Sequence, residues 1–564
     1  MARLSERLHR HLAAIYGAEE ARRWVPRFRE RLERFVRAHP DLARGPRALA
    51  TSPAEAWLIT YGDQFSRPGE PPLATLGRFM NRWLAPEFSG VHLLPIYPYS
   101  SDDGFSVIDY RAVDPRLGDW GHVQDLARRY TLMLDAVVNH ASVQSAWFRR
   151  FLRCEEPYRR YFLVPPADWD LSQVVRPRTT PLLTEFTTTC GPKKVWTTFS
   201  ADQADLNYRE PGVLLEALEL LFFYAARGAR RLRLDAVGFI WKEPGTTCLN
   251  LPQTHEIVRL FRTALDHAAP EVALVTETNV PHAENVAYFG DGENEAQLVY
   301  NFALPPLVLH AFAREDARAL STWAAGLRPP GPKAAFLNFL ASHDGIGLRP
   351  VEGILPSDEV TFLAERTLAH GGEVSYRDTP AGPAPYELNS TWYDALNPPG
   401  TPEELGVRRL LASHAIMLAL AGLPAVYVHA LFGTPNWREG FERSGEKRKL
   451  NRRKFREAEV EAWLADPASR PRRIVEGLKE RLKLRARHAA FHPSAPQRVP
   501  DLGAGIFAVE REAEAERALV LVNVTGRPRR VKLAEGWRDG GSGEAVGREV
   551  TLEPYADLWL ITGG

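Results

Sequence analysis

Cysteine is scarce in this chain, and its scarcity is informative. The 564 residues include three, Cys154, Cys190 and Cys248. They are widely spaced, odd in number and form no CxxC pair, which excludes a zinc ribbon or a dithiol redox motif and predicts free thiols in a reducing compartment. Neither sign of charge is in excess: 71 Lys+Arg against 70 Asp+Glu leaves a formal net charge of +1. Proteins that live on nucleic acid or on an anionic membrane carry a basic surplus, so neither partner is expected. Long apolar runs are missing too. No stretch approaches the roughly 18 residues of a membrane span, and Met1–Trp24 is charged throughout, without the apolar centre of a signal peptide. A cytoplasmic location follows as the expectation. No GxGxxG opens a helix after a strand, and neither GxxxxGK[ST] nor HExxH occurs, so no cofactor and no metal are expected.

What is present is the composition of an ordinary globular protein, 45% hydrophobic and 25% charged. Residues 1–50 read as a helical extension. Leu4, Leu8, Leu12 and Ile15 fall on one helical face, and a second helix is expected near Trp24–Val36. The texture then changes. Short β-rich runs alternate with amphipathic helical stretches: Ala56–Tyr61, Val91–Ile96, Leu132–Val138, Arg231–Ala236, Val272–Glu277, Leu298–Phe302, Ala335–Phe339 and Ala425–Val428. Several are almost continuously apolar, as strands covered on both faces must be. Alternation of this kind implies parallel strands joined by helices, and eight such units predict a closed (β/α)8 TIM barrel, with an open doubly wound sheet as the alternative. The barrel is expected over 51–140 and 206–484. The stretch 141–205 is too long for a simple loop and reads as an inserted subdomain (B). The stretch 346–400 reads as a second inserted lid (B'). Strand patterns at Gly505–Val509, Ala518–Asn523, Val531–Leu533 and Asp557–Ile561 predict a C-terminal antiparallel β-domain over 485–564. The basic cluster Lys447-Arg448-Lys449 with Arg452-Arg453-Lys454 reads as a solvated loop.

On such a barrel, reactive side chains project from the C-terminal ends of the strands. The residues predicted there are concentrated in type. Asp135 to His140, Arg233-Leu-Asp235, Glu277 and Ser342-His343-Asp344 end four different runs, and Asp102-Asp103-Gly104-Phe105 follows a fifth. Carboxylates from separate strands would converge on one mouth. Arg233 and Asp235 are two apart in a strand and share a face, so the arginine is expected to hold Asp235 ionised, as a nucleophile requires. Glu277 ends an apolar strand, where a carboxyl in a dry pocket near other anions keeps its proton. One ionised and one protonated carboxyl is the pairing of glycosidic chemistry.

At this point the chain resembles a known family. Asp135-Ala-Val-Val-Asn-His140, Arg233-Leu-Asp-Ala-Val-Gly238, Glu277 and His343-Asp344 look like the four signature regions of the α-amylase superfamily, glycoside hydrolase family 13. His92 to Tyr99, Asp235 to Cys248, Phe302 to His310 and His343 to Gly347 are similar to its sucrose phosphorylase branch. The N-terminal extension, Leu251 to His255 and Thr276 to Asn285 look most like the glucosylglycerate phosphorylases. The resemblance implies a retaining glucosyl phosphorylase (a hexosyltransferase) acting on small molecules: an α-glucoside, inorganic phosphate and glycerate. It implies Asp235 as nucleophile, Glu277 as acid and base, and Asp344 gripping sugar hydroxyls. His140 and His343 would also meet hydroxyls, Asp102 and Arg452 the far end of the ring, and Phe105 the pocket wall. Arg178 matches the phosphate-reaching arginine, with Phe199 and Gln203 lining the same cavity. Asn279 replaces a histidine, and Tyr386-Glu387 a Tyr-Gln pair, near the acceptor side. Sucrose phosphorylase, a hydrolase of the same superfamily and a non-catalytic sugar-binding barrel stand as alternatives. A monomer or a homodimer fits equally.

Overall fold

The structure, a computed structural model, describes residues 2–46, 49, 51–379 and 382–562. Eight parallel strands close into a barrel: β1 (Trp57–Thr60), β2 (Gly90–Leu93), β3 (Thr131–Ala136), β4 (Ala229–Leu234), β5 (Ala273–Thr276), β6 (Leu298–Tyr300), β7 (Ala335–Asn338) and β8 (Leu423–Tyr427). Each strand neighbours the next in sequence, and β8 returns to pair with β1, Ala425 facing Trp57. The eight runs expected from the sequence are these eight strands, and the open sheet is excluded. Their residues are buried almost without exception because helices cover the outside while side chains fill the inside. Several of the covering helices start with proline in the first turn, such as Pro72, Pro211 and Pro252, where the missing N–H has no intrahelical partner to lose.

The N-terminal extension is two main helices, α1 (Ala2–Tyr16) and α2 (Ala18–Ala38), packed on the barrel helices α3 (Pro211–Ala226) and α4 (Pro252–Ala268). The predicted stripe Leu4, Leu8, Leu12 and Ile15 is buried there. Leu8, Leu12, Phe28 and Leu32 have no exposed surface. At about 1.5–3 kcal/mol for each such side chain, this burial makes the extension part of the core rather than an attached tail. His11 bridges Glu256 (2.6 Å) and Thr263 (2.9 Å) on α4, and Phe35 stacks on Phe222 of α3.

Between β3 and β4 the chain forms a small unit. His140–Ser142 pairs with Gln203–Asp205, and Leu183–Thr188 forms a hairpin with Gly191–Trp196. The cysteines correct the expectation of free thiols. Cys154 and Cys190 lie in this unit, with Cα atoms 6.3 Å apart, and are joined as a disulfide, while Cys248 is buried and free. The pairing was hidden because 36 residues separate the two in the chain and only the hairpin brings them together.

After β7, Ile346–Gly347, Ala384–Asn389 and Glu373–Arg377 form a three-stranded antiparallel sheet beside the helix Ser357–Ala369. The C-terminal strands build a five-stranded antiparallel sheet and a two-stranded one. The four patterns expected there are strands, and Trp537–Asp539 and Glu549–Leu552 join them. No helix among the described residues is long and apolar enough to cross a membrane.

Candidate active site

The site is built on β3, β4 and β5. Their register sets Asp135 beside Arg233, and Arg233 beside Val275. Arg233 is 2% exposed and lies beneath the cavity rather than in its wall. Its Nη1 donates to Asp135 and, at 2.8 Å, to Asp235 Oδ1, and its Nη2 stands 3.9 Å from Glu277 Oε2. His92 Nε2 donates to the other oxygen of Asp135 at 2.8 Å. Directly after Asp235 the backbone turns through a left-handed residue, Ala236 (φ 49°), which aims its N–H at Glu277 Oε2 from 2.8 Å. That conformation strains a residue with a β-carbon, and here it brings a backbone N–H onto the Glu277 carboxyl.

The electrostatics correct one expectation. Burial pushes both Asp235 and Glu277 up to about 7, and the nearby carboxylates Asp135 and Asp344 add to it at Asp235. Arg233 opposes this but does not win, because it is shared with Asp135. There burial is outweighed by Arg233 and His92, and the carboxyl lies below its usual range. Asp235 and Glu277 therefore titrate as a pair near neutrality. Asp235 has the direct 2.8 Å guanidinium bond and Glu277 only the 3.9 Å approach, so a single proton resides on Glu277.

A second charged layer surrounds Asp344 at the end of β7. Arg448 Nη1 lies 2.5 Å from Asp344 Oδ1. Its Nη2 and Nε donate to Glu387 at 2.8 and 3.0 Å. Gly345 N–H donates to the same Glu387 at 2.9 Å. Arg452, 2% exposed, donates to Asp102 (3.2 Å), Asp103 (3.0 Å) and the carbonyl of His343 (2.8 Å). Burial favours the neutral form of Asp344, yet Arg448, Arg452, Arg233 and Arg178 together hold it below the usual carboxylate range. These contacts correct the reading of 447–454 as a solvated loop. Lys449 binds Asp103 at 2.6 Å, and Lys454 binds Asp63 at 2.6 Å. Gly345 is required by close approach: a β-carbon there would sit 2.5 Å from the backbone carbonyl of Leu388, while at Gly347 it would meet the side-chain end of Asn279.

The cavity wall also carries Arg178, whose charge acts on Asp344 and Glu387. Its guanidinium stands 6.0 Å from the ring centre of Phe199, which meets Phe239 edge-on at 5.6 Å and His140 at 5.4 Å. Burial lowers the pKa of both His140 and His343, so both are neutral hydrogen-bonding groups near pH 7. Phe105 stacks on His343 at 4.7 Å, and His140 Nε2 donates to the Phe105 carbonyl at 2.9 Å.

These walls surround a cleft with about 760 Å³ of empty space, the open solvent at its mouth included. It is lined by Asp102, Phe105, His140, Arg178, Phe199, Gln203, Asp235, Glu277, Asn279, His343, Asp344, Tyr386 and Glu387. The structure thus brings together the residues singled out from the sequence, with Arg233 and Arg452 just behind them. Arg448, Phe239, Thr278 and Phe302 also line it and were not singled out. Phe239 and Phe302 lie inside segments quoted for the family resemblance. Arg448 had no signal beyond its cluster, because its partners are 61 and more residues away.

The family model for the α-amylase catalytic domain matches residues 87–325, and that for the C-terminal immunoglobulin-like domain of D-apionate lactonase matches 505–560. The chain is 48% identical to the glucosylglycerate phosphorylase of Allomeiothermus silvanus over 99% of both chains. It is 40% identical to that of Escherichia coli, over 99% of this chain and 100% of the relative. Sucrose phosphorylase from Bifidobacterium adolescentis is 28% identical over 77% of this chain and 85% of its own. In fold, the chain is similar to the crystal structure of sucrose 6F-phosphate phosphorylase from Thermoanaerobacter thermosaccharolyticum, with TM-score 0.74 and 24% identity over 85% of this chain and 96% of that one. On a barrel with paired carboxyls at its mouth and relatives of this closeness over its whole length, the chain belongs to the α-amylase family, glycoside hydrolase family 13, and is an enzyme of its phosphorylase branch.

Proposed function

We propose that this protein catalyses the reversible phosphorolysis of 2-O-α-glucosylglycerate to α-glucose 1-phosphate and glycerate, with retention at the anomeric carbon. The Asp235 carboxylate attacks C1 of the glucosyl unit. The C1–O bond to glycerate breaks, and the departing oxygen takes the Glu277 proton. A β-glucosyl ester on Asp235 results. Inorganic phosphate then attacks C1 from the vacated side, Glu277 accepts the phosphate proton, and the ester bond breaks to restore Asp235. Asp344 and the neutral His140 and His343 bind ring hydroxyls, with Asp102 and Arg452 at the far end.

The observation that carries this reading is the guanidinium of Arg178 in the wall of a pocket otherwise rich in carboxylates. Phosphate and glycerate are both anions, and an arginine fork matches either. A hydrolase has no use for that cation. The near full-length relatives named as glucosylglycerate phosphorylases support glycerate as the acceptor. A cytoplasmic site of action belongs to the same reading.

The test is to incubate the protein with glucose 1-phosphate and, separately, glycerate, fructose, glycerol or no acceptor, and to follow released phosphate. Release that depends on glycerate supports the proposal. Release that depends on fructose moves the protein to the sucrose side of the branch, and release in water that no acceptor accelerates makes it a hydrolase.

A further inference from the structure

We infer that the N-terminal helical extension positions the acceptor side of the active site, with Tyr16 as the residue through which it acts. The inference rests on the reading of Arg178 as the anion-binding residue.

Three links connect Tyr16 to that arginine. The first is at the end of α1, where the Tyr16 ring meets Trp241 edge-on at 6.0 Å and its hydroxyl donates to the carbonyl of Tyr208 at 2.7 Å. Trp241 is 5% exposed and lies in the loop that follows β4, six residues beyond Asp235 in the chain. The second link is the seating of that loop. Lys242 Nζ binds Asp205 at 2.6 Å and Asn139 at 3.0 Å. The Arg209 guanidinium lies over both Trp241 (5.5 Å) and Trp169 (5.2 Å) and donates to the Lys242 carbonyl at 3.1 Å. Trp169 belongs to the inserted unit, so the same cation faces the loop and the insertion. The third link reaches Arg178 by two routes. Gly245 N–H donates to the Asp170 carbonyl at 2.8 Å, and Val175 N–H donates to the Thr247 carbonyl at 3.0 Å, three residues before Arg178. In parallel, Phe239 of the loop holds Phe199, over which Arg178 lies.

The loop 236–250 therefore carries cavity residues Ala236, Gly238, Phe239 and Leu249 on one side and the Arg178 segment on another. Its outer face rests on the extension. Among the described residues, Arg178 is hydrogen-bonded only through Nη1, to the carbonyl of its chain neighbour Pro177 at 3.3 Å. A long cation so lightly held depends on the loop behind it for its position, and anion binding by a fork is sensitive to displacement. Asp235 and Glu277 are held by Arg233 inside the barrel, and the loop touches Glu277 only through its first residue, the N–H of Ala236, five residues before Trp241.

The prediction is a split between acceptors. In the full-length Tyr16→Leu protein, the KM for inorganic phosphate rises roughly tenfold, short of the roughly 100-fold that a 1 Å misplacement can cost. Its slow hydrolysis of glucose 1-phosphate in water stays unchanged, because water needs no cation. Tyr16→Phe keeps the ring on Trp241 and loses only the bond to Tyr208, so it folds with the least disturbance and shows a smaller rise in the same constant. A purely structural role for Tyr16 lowers both activities together. Parallel loss, or an unchanged phosphate KM in the variants that fold, overturns the inference. Arg178→Ala is measured alongside. If it too leaves the phosphate KM unchanged, the reading of the acceptor site has failed. If Arg178→Ala raises it and the Tyr16 variants do not, only the role of the extension has failed.

Discussion

Asp235 shares Arg233 with Asp135: one nitrogen of the guanidinium donates to both carboxylates, and the other faces Glu277 at 3.9 Å. A private arginine would lock Asp235 in its charged form and leave Glu277 to titrate alone. A shared one leaves both carboxyls, Asp235 and Glu277, poised near 7, pushed up by burial and sharing a proton.

The pH–rate profile should be bell-shaped. Lowering the pH adds a second proton to the pair and disables Asp235, while raising it removes the proton that Glu277 donates. Measured as kcat/KM for glucose 1-phosphate with glycerate, the alkaline limb should vanish in no single-charge variant other than those at Glu277. A flat profile between pH 5 and 9 would contradict the paired titration.

Stability should respond in the same window. Glu277 has a folded-state pKa of about 7, above the value near 4.5 of an unperturbed carboxyl. Between those values the folded state holds more protons than the unfolded one, so stability falls as pH rises through the window and levels off above 7. Glu277→Gln cannot ionise and escapes this loss. Its advantage over the parent should grow from pH 4.5 to 7 and reach about 1–3 kcal/mol, read from urea unfolding at several pH values. A constant difference across the range would show that the carboxyl is not held at a raised value.

Asp235→Asn should lower turnover by at least about 10⁴-fold with no loss of melting temperature. The side chain is buried, but the amide keeps its volume, can still accept from Arg233 and removes a carboxyl whose charge burial disfavours. Retained turnover would place the nucleophile elsewhere.

Arg178→Ala should raise the KM for phosphate by about 10- to 100-fold, the worth of a charged hydrogen bond or two, and weaken hydrolysis in water far less. Steady-state kinetics with phosphate and with water as acceptors separate the two.

Glu387→Gln tests the balance of charge around Arg448. Glu387 is 2% exposed and neutralises Arg448 through two bonds. Removing its charge leaves Arg448 on Asp344 with unspent positive potential toward the cavity. The KM for phosphate should fall by roughly 3- to 10-fold. A rise instead would mean that the carboxylate serves to hold Arg448 in place.

The alternation of apolar runs with helices sufficed to predict eight parallel strands in a barrel, because residues covered on both faces have almost no freedom of composition. The carboxylates at strand ends were legible for a related reason: period-2 geometry fixes that Arg233 and Asp235 share a face. What the linear chain could not disclose is which charges meet across it. Arg448 reaches Asp344 and Glu387, Cys154 reaches Cys190, and Arg233 divides itself between Asp135 and Asp235 only because the closed barrel and its insertions bring distant segments within a few ångströms. Burial and Coulomb interaction depend on those distances, not on spacing in sequence, and so the protonation of Asp235 and Glu277 was decided by the tertiary structure alone.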